Sequence, residues 1–254
     1  MSQAGRLAQI HRYPVKSIGG EALDQVALTP AQPLPGDRRF AVIHADGLRH
    51  LEDGALARWL PKAAFVRGVA AAPLQAVRGG WDGGDLVLTH PERPELRFDP
   101  AQGGAALIAW LEPLWSTSDK APAVRLVEGP QALTDKNHPW LSILSLSSLR
   151  DLEGRLNQPL GVHRWRANLW IDGWEPYAER DMQLHRIRIG ENVVLKLTQR
   201  IGRCAATSVD TDTGQIDVDM PKALQDQFWH QDFGIYAEVE AGGIIRPGDE
   251  VEVL

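Results

Sequence analysis

Apolar and polar residues alternate in short runs along most of the chain, and glycine and proline punctuate the runs. Several runs read as strands. LAQIHRYPV (7–15) opens the series, RFAVIHAD (39–46) follows an acidic turn, and DLVLTH (85–90) and ELRFD (95–99) flank PERP. HRIRIG (185–190) and VVLKLTQRI (193–201) meet at Gly190-Glu191-Asn192, which predicts a hairpin. The closing IYAEVEAGGIIRPGDEVEVL (235–254) predicts two or three strands, broken at Gly242-Gly243 and at Pro247-Gly248-Asp249. Helical spacing is rarer. It joins Leu107, Ile108, Leu111, Leu114 and Trp115 after Pro100. It also joins Leu146, Leu149, Leu152 and Leu156, with Ser145 placed to cap the start and Pro159 to end the segment. Short helices are predicted over 55–60, stopped by Pro61, and over 221–229.

Strands outnumber helices and do not alternate with them. The pattern predicts a mainly β (α+β), barrel-like architecture with appended helices rather than a parallel α/β sheet. The composition shifts at STSDKAPA (116–123), which places domains at 1–120 and 121–254, with the first strand free to pack with either.

The chain has 254 residues, a net charge of −6 and one cysteine, Cys204. The charge argues against general binding to nucleic acid or membrane. No apolar run approaches the roughly 18 residues of a spanning helix. The opening MSQAGRLAQIHRYPVKS lacks a basic segment followed by an apolar core, so a cytoplasmic location is expected. A single cysteine forms no internal disulfide and holds neither an iron–sulfur cluster nor a cysteine-rich zinc site. Redox chemistry therefore needs a bound cofactor and electrons from outside.

Cys204 stands in RIGRCAATSVDTDTG (200–214), with Arg203 beside it and Arg200 upstream. A free cysteine is usually a small core hydrophobe, yet here its neighbours are polar, and cations favour the thiolate. A nucleophile and a ligand to a soft or redox-active metal both remain open. Lys16-Ser17 ahead of Gly19-Gly20 reads either as an anion-binding turn or as an ordinary strand end. Asp37-Arg38-Arg39 leads into a strand. In HRWRANLWIDG (163–173), Arg164, Arg166 and Asn168 alternate with Trp165, Ala167 and Leu169 at strand period. That face is either solvated or a reader of phosphate and ring edges.

In chain order, six segments resemble the MOSC family, named for the C-terminal domain of molybdenum cofactor sulfurase, in its members with an N-terminal β-barrel companion. They are YPVKS (13–17), GDRRFAV (36–42), PWLSILSLSSLRDLEGRL (139–156), WRANLWIDG (165–173), GRCAATSVDTDTG (202–214) and FGIYAEVEAGGIIRPGDEVEVL (233–254). The resemblance implies an N-terminal β-barrel-like domain and a C-terminal MOSC β-barrel domain with a few helices. It implies binding of molybdenum cofactor, a pterin whose dithiolene holds the metal and whose tail is a phosphate, between the two domains. Cys204 would be the metal ligand, and Cys204 and Asp210 the catalytic residues. Lys16, Ser17, Arg38 or Arg39, Ser145, Ser148, Arg166, Asn168, Arg203 and Thr207 match cofactor contacts. The resemblance also leaves a pyridoxal-phosphate-type ligand open. It implies reduction of small N-hydroxylated compounds (amidoximes, hydroxylamines, N-hydroxylated bases). Because the chain cannot hold a cluster, a separate flavin or iron–sulfur protein is the expected electron donor. The alternative is a carrier of molybdenum cofactor or sulfur without turnover of its own.

Overall fold

A computed structural model describes residues 4–254; Met1 to Gln3, where the leader reading begins, lie outside the described residues. The first half of the chain contains β1 (Ala4–Arg12), β2 (Glu21–Ala22), β3 (Val26–Leu28), β4 (Phe40–His44), β5 (Arg78–Asp82), β6 (Asp85–His90), β7 (Arg93–Phe98), α1 (Gly104–Trp115) and β8 (Ala123–Glu128). The second half contains β9 (Leu141–Ser145), α2 (Leu146–Leu156), β10 (Leu169–Asp172), β11 (Arg186–Ile189), β12 (Val193–Gly202), β13 (Val209–Asp210), β14 (Gln215–Ile216), α3 (Met220–Phe228), β15 (Asp232–Ala241), β16 (Gly243–Ile245) and β17 (Glu250–Val253).

Alternation builds the larger core. In β12, Val193, Leu195, Leu197 and Ile201 are buried, while most residues between them are only partly so. The strands run β10-β9-β15-β12-β11-β17-β1, and β1 also pairs with β10, so the sheet closes into a barrel. Closure removes the open edges of the sheet. Leu7, Ile143, Ile171, Ile187, Leu195 and Ile235, each 0% exposed, fill its interior. All pairs in the barrel are antiparallel except β9 with β10. A parallel pair needs a crossover, and here the crossover carries α2. The first strand thus belongs to the second half of the molecule, through its pairings with β10 and β17.

The first half packs a β4–β8 ladder and a β5-β6-β7 meander with α1 around its own core, which includes Val42, Leu74, Leu86, Leu107 and Leu111. Residues 15–20 stitch these pieces together, Val15 bridging to Phe40 and Gly20 to Gly79. No helix among the described residues is long and apolar enough to cross a membrane.

Two expectations are corrected. Residues 55–60 form no helix: Glu52 and Ala55 exchange backbone bonds across an Asp53-Gly54 turn with φ of 49° and 81°. Leu56 and Leu60 then drop into the core singly, and a helical turn forms only at Lys62–Ala64. Residues 163–168 are not a strand. His163–Trp165 is a 3₁₀ turn ended by Arg166 at φ 51°, and the strand starts at Leu169.

Candidate functional site

The strand ends and loops of both halves meet at a cleft of about 260 Å³. The first half supplies Lys16, Ser17, Arg38 and the loop from Lys62 to Gln75. The second supplies residues within 134–142, 164–168 and 201–207, and Tyr236. Seven lining residues are lysine or arginine, and one, Asp135, is acidic. In a chain of net charge −6, that concentration of cations around a recess marks it for an anionic ligand.

Three of the lining residues hold left-handed backbone without being glycine: Ser17 (φ 70°), Arg38 (φ 49°) and Arg166 (φ 51°). Such strain collects at sites whose surroundings over-determine it. Arg166 donates to the carbonyls of Gly19 at 2.8 Å, Val15 at 3.2 Å and Ile18 at 3.3 Å. Arg38 pairs with Asp37 and donates to Arg166 O at 2.8 Å. Both guanidiniums lie over the Tyr13 ring, at 4.9 Å for Arg38 and 4.4 Å for Arg166. Burial pushes the Tyr13 phenol up to about 12, and its hydroxyl donates to Ala167 O at 3.2 Å.

Arg203 donates to Phe233 O through Nε at 2.8 Å and to Trp165 O at 3.0 Å. Burial lowers Arg166 and Arg203 to about 10 each, and both stay charged at neutral pH. Lys16 is 7% exposed and donates to Leu133 O at 2.9 Å and to Asp135 at 2.7 Å. Burial lowers the Lys16 ammonium, and Asp135 opposes that shift. Burial also works against the Asp135 carboxylate, but Lys16, Lys62 and Arg38 together hold it well below the usual range.

Cys204 lies at the end of β12, exposed, and precedes the 3₁₀ turn Ala205–Ser208. Its carbonyl accepts from Thr207 N at 3.0 Å and Thr207 Oγ1 at 2.9 Å. The core-filler reading fails on this exposure. Among the described residues no cluster of three His, Cys, Asp or Glu is placed to hold a metal. A metal on Cys204 would therefore take the rest of its shell from another molecule.

The structure gathers Lys16, Ser17, Arg38, Arg166, Asn168, Arg203, Cys204 and Thr207 at the cleft. It places the other sequence candidates elsewhere. Arg39 points outward to Glu128 at 2.7 Å. Ser145, fully buried, caps α2 by accepting from Ser148 N at 3.3 Å. Ser148 donates to buried Glu179 at 2.9 Å and accepts from Tyr177 N at 2.8 Å. Asp210 closes the β13–β14 turn by accepting from Asp212 N at 2.9 Å and Thr213 Oγ1 at 3.0 Å. None of these four lines the recess. Asn168 lines it but is spent on the fold: its Oδ1 accepts from Ser142 N and Oγ, and its Nδ2 donates to His11 O. Asp135, Arg67, Gln75, Trp140 and Tyr236 join the cleft without having carried a sequence signal, because long-range contacts put them there.

Two family models match the chain: the MOSC domain over residues 131–252 and the MOSC N-terminal beta barrel domain over residues 4–121. The chain is 34% identical to mitochondrial amidoxime-reducing component 1 of Mus musculus, over 100% of this chain and 84% of that protein. It is 32% identical to mitochondrial amidoxime reducing component 2 of Bos taurus, over 99% and 84%. It is 26% identical to mitochondrial amidoxime-reducing component 1 of Homo sapiens, over 100% and 84%.

Proposed function

This chain belongs to the MOSC family, in the form that carries an N-terminal MOSC β barrel, and from that premise we propose that it is a molybdenum-cofactor-dependent reductase of N-hydroxylated compounds. The observation that carries the reading is the exposed thiol of Cys204 opening into a recess lined by seven cations. A phosphate-tailed metal cofactor needs both features. The anionic tail needs cations and N–H donors, and a soft metal suits a thiolate. The residues present fit that group.

When bound, the cofactor would supply a two-electron redox centre. The chain would supply the Cys204 thiolate as ligand. Lys16, Ser17 and Arg38 would be the cationic and hydroxyl contacts from the first half, and Arg166 and Arg203 the charged contacts from the second. Burial strengthens the pull of those charges on an anion. Thr207 holds the Cys204 carbonyl and so fixes the backbone that carries the thiol. Reduction of an N-hydroxyl group to an amine or amidine takes two electrons and two protons and releases water. With one cysteine in the chain, the electrons come from a separate flavin or iron–sulfur protein.

The test is Cys204→Ser, made in cells that synthesise the cofactor. Wild-type protein is expected to carry close to one molybdenum per chain and to reduce benzamidoxime with an external electron donor. The variant is expected to lose both while keeping its melting temperature, because the side chain is exposed. Full metal content and turnover in the variant would overturn the ligand assignment. Metal-loaded wild type that turns over no N-hydroxylated compound would favour a cofactor carrier instead.

A further inference from the structure

Most polar groups of the cleft are already satisfied by the protein. Arg166 and Arg203 are tied to carbonyls, Arg38 to Asp37, Arg164 to Asp217, and Lys16 to Leu133 and Asp135. Besides the Ser17 hydroxyl, two longer polar side chains lining the cleft from the first half differ. Arg67, half-buried, makes no ion pair and no side-chain hydrogen bond among the described residues. Gln75 is 5% exposed, and its amide likewise has no partner among them. The amide is not among the polar atoms sealed from solvent, so it opens to the recess with its hydrogen-bonding capacity free for a ligand. The Gln75 amide lies against the residue after Arg67: a Cβ built on Gly68 would lie 1.5 Å from Gln75 Nε2. The absence of a side chain at Gly68 is what lets the amide occupy that place. Val69, 42% exposed, adds an apolar surface to the same wall.

This wall lines the same recess as the thiol. The 3₁₀ turn carrying Gln75 (Ala72–Ala76) packs on the β13–β14 turn, where a Cβ on Gly214 would meet Pro73 Cα at 3.0 Å. That turn follows directly on the segment Cys204 to Ser208. Cys204, Arg67, Val69 and Gln75 all line this one recess, so a molecule seated in it can meet the thiol, a free guanidinium, a free amide and an exposed valine.

We propose that Arg67 and Gln75 form a substrate-recognition subsite, and that the substrates are small N-hydroxylated compounds with an apolar body and an anionic oxygen group, a carboxylate or phosphate. The guanidinium takes the anion, the Gln75 amide donates to one of its oxygens, and Val69 covers the body. The proposal rests on the reductase reading for its reaction, but not for its binding.

The experiment compares 4-carboxybenzamidoxime with neutral benzamidoxime in cofactor-loaded wild type, R67Q and R67E. Wild type is expected to favour the carboxylated compound, through a lower KM. In R67Q the ratio of kcat/KM for the carboxylated over the neutral compound falls at least tenfold, and in R67E it falls further. In parallel, quenching of tryptophan fluorescence gives the Kd of 4-carboxybenzamidoxime without any turnover. A tenfold weaker Kd in R67Q supports the subsite even if neither compound is reduced, in which case the reductase reading alone fails. An unchanged kcat/KM ratio together with an unchanged Kd overturns the subsite. Loss of molybdenum from R67Q in step with activity would assign Arg67 to the cofactor's phosphate and would equally overturn it.

Discussion

Glu179 shows how a single side chain can be costly and still be kept. It is 1% exposed, and the Ser148 hydroxyl meets both its oxygens at 2.9 Å. Burial raises its carboxyl from 4.5 to about 6, against the opposing pull of those hydrogen bonds. A carboxyl raised on folding contributes stability that is full below the unfolded value, about 4.5, and is lost as pH rises through about 6. The stability of Glu179→Gln relative to wild type is therefore expected to grow by about 2 kcal/mol between roughly pH 4.5 and pH 7. Urea titrations of both proteins at the two pH values measure it, and a constant difference would refute the assignment. Neither Glu179 nor Arg67 was legible in the sequence, since burial and partnership arise from contacts made far along the chain. Cys204 and Lys16 were legible because a polar setting around a lone cysteine and a cation beside a glycine turn are local signals, whereas Arg166 was reached through the family resemblance.

At the scale of the element, β15 is the piece on which the site leans. Phe233 O anchors Arg203, and the next residue, Gly234, has φ 88°. A Cβ there would lie 2.4 Å from Leu144 Cδ1 and 2.8 Å from Ile143 O. Gly234→Ala thus combines a left-handed backbone with overpacking against β9, and is expected to cost about 2–4 kcal/mol. It should also displace the Phe233 carbonyl that holds Arg203. Thermal unfolding and molybdenum retention measure the two effects, and a variant with wild-type values for both would show that β15 tolerates the side chain. The FG pair was visible in the sequence, but its reason was not, because the crowding comes from a strand about ninety residues earlier. Locally encoded elements were readable: α2 with its Ser145 cap, the β11–β12 hairpin, and α3, which the structure places at Met220–Phe228. Residues 55–60 misled because leucine spacing fits a helix, whereas the Asp53-Gly54 turn fixes the path. In 163–168 the alternation was real, but a left-handed Arg166 breaks the strand that it suggested.

Across the whole molecule, the junction of the halves holds a pair of histidines whose protonation the fold disfavours. Arg78 on β5 reaches Thr211 and Asp212 of the second half at 2.9 Å. Beside it, the rings of His11 and His163 meet edge-on at 5.5 Å. His11 Nε2 contacts Gln9 at 2.9 Å, and its Nδ1 is buried without a partner. Burial first, and the Arg78 charge second, lower each histidine from 6.5 to about 4; Asp212 opposes the shift at His163, and Arg166 adds to it. A histidine lowered on folding contributes stability above about 6.5 that is lost as pH falls toward 4, since the unfolded chain binds the proton more readily. Near pH 5 that loss is about 2 kcal/mol for each histidine, against about 1 kcal/mol gained from Glu179. The histidines win, so the melting temperature should fall between about pH 7 and pH 5. His163→Gln removes one titrating ring and the repulsion across the pair, and should flatten the fall by about two-thirds. Melting curves of wild type and His163→Gln at the two pH values decide the matter. A wild-type melting temperature that holds or rises on acidification would mean that the junction admits the protons freely, and would refute the histidine assignment.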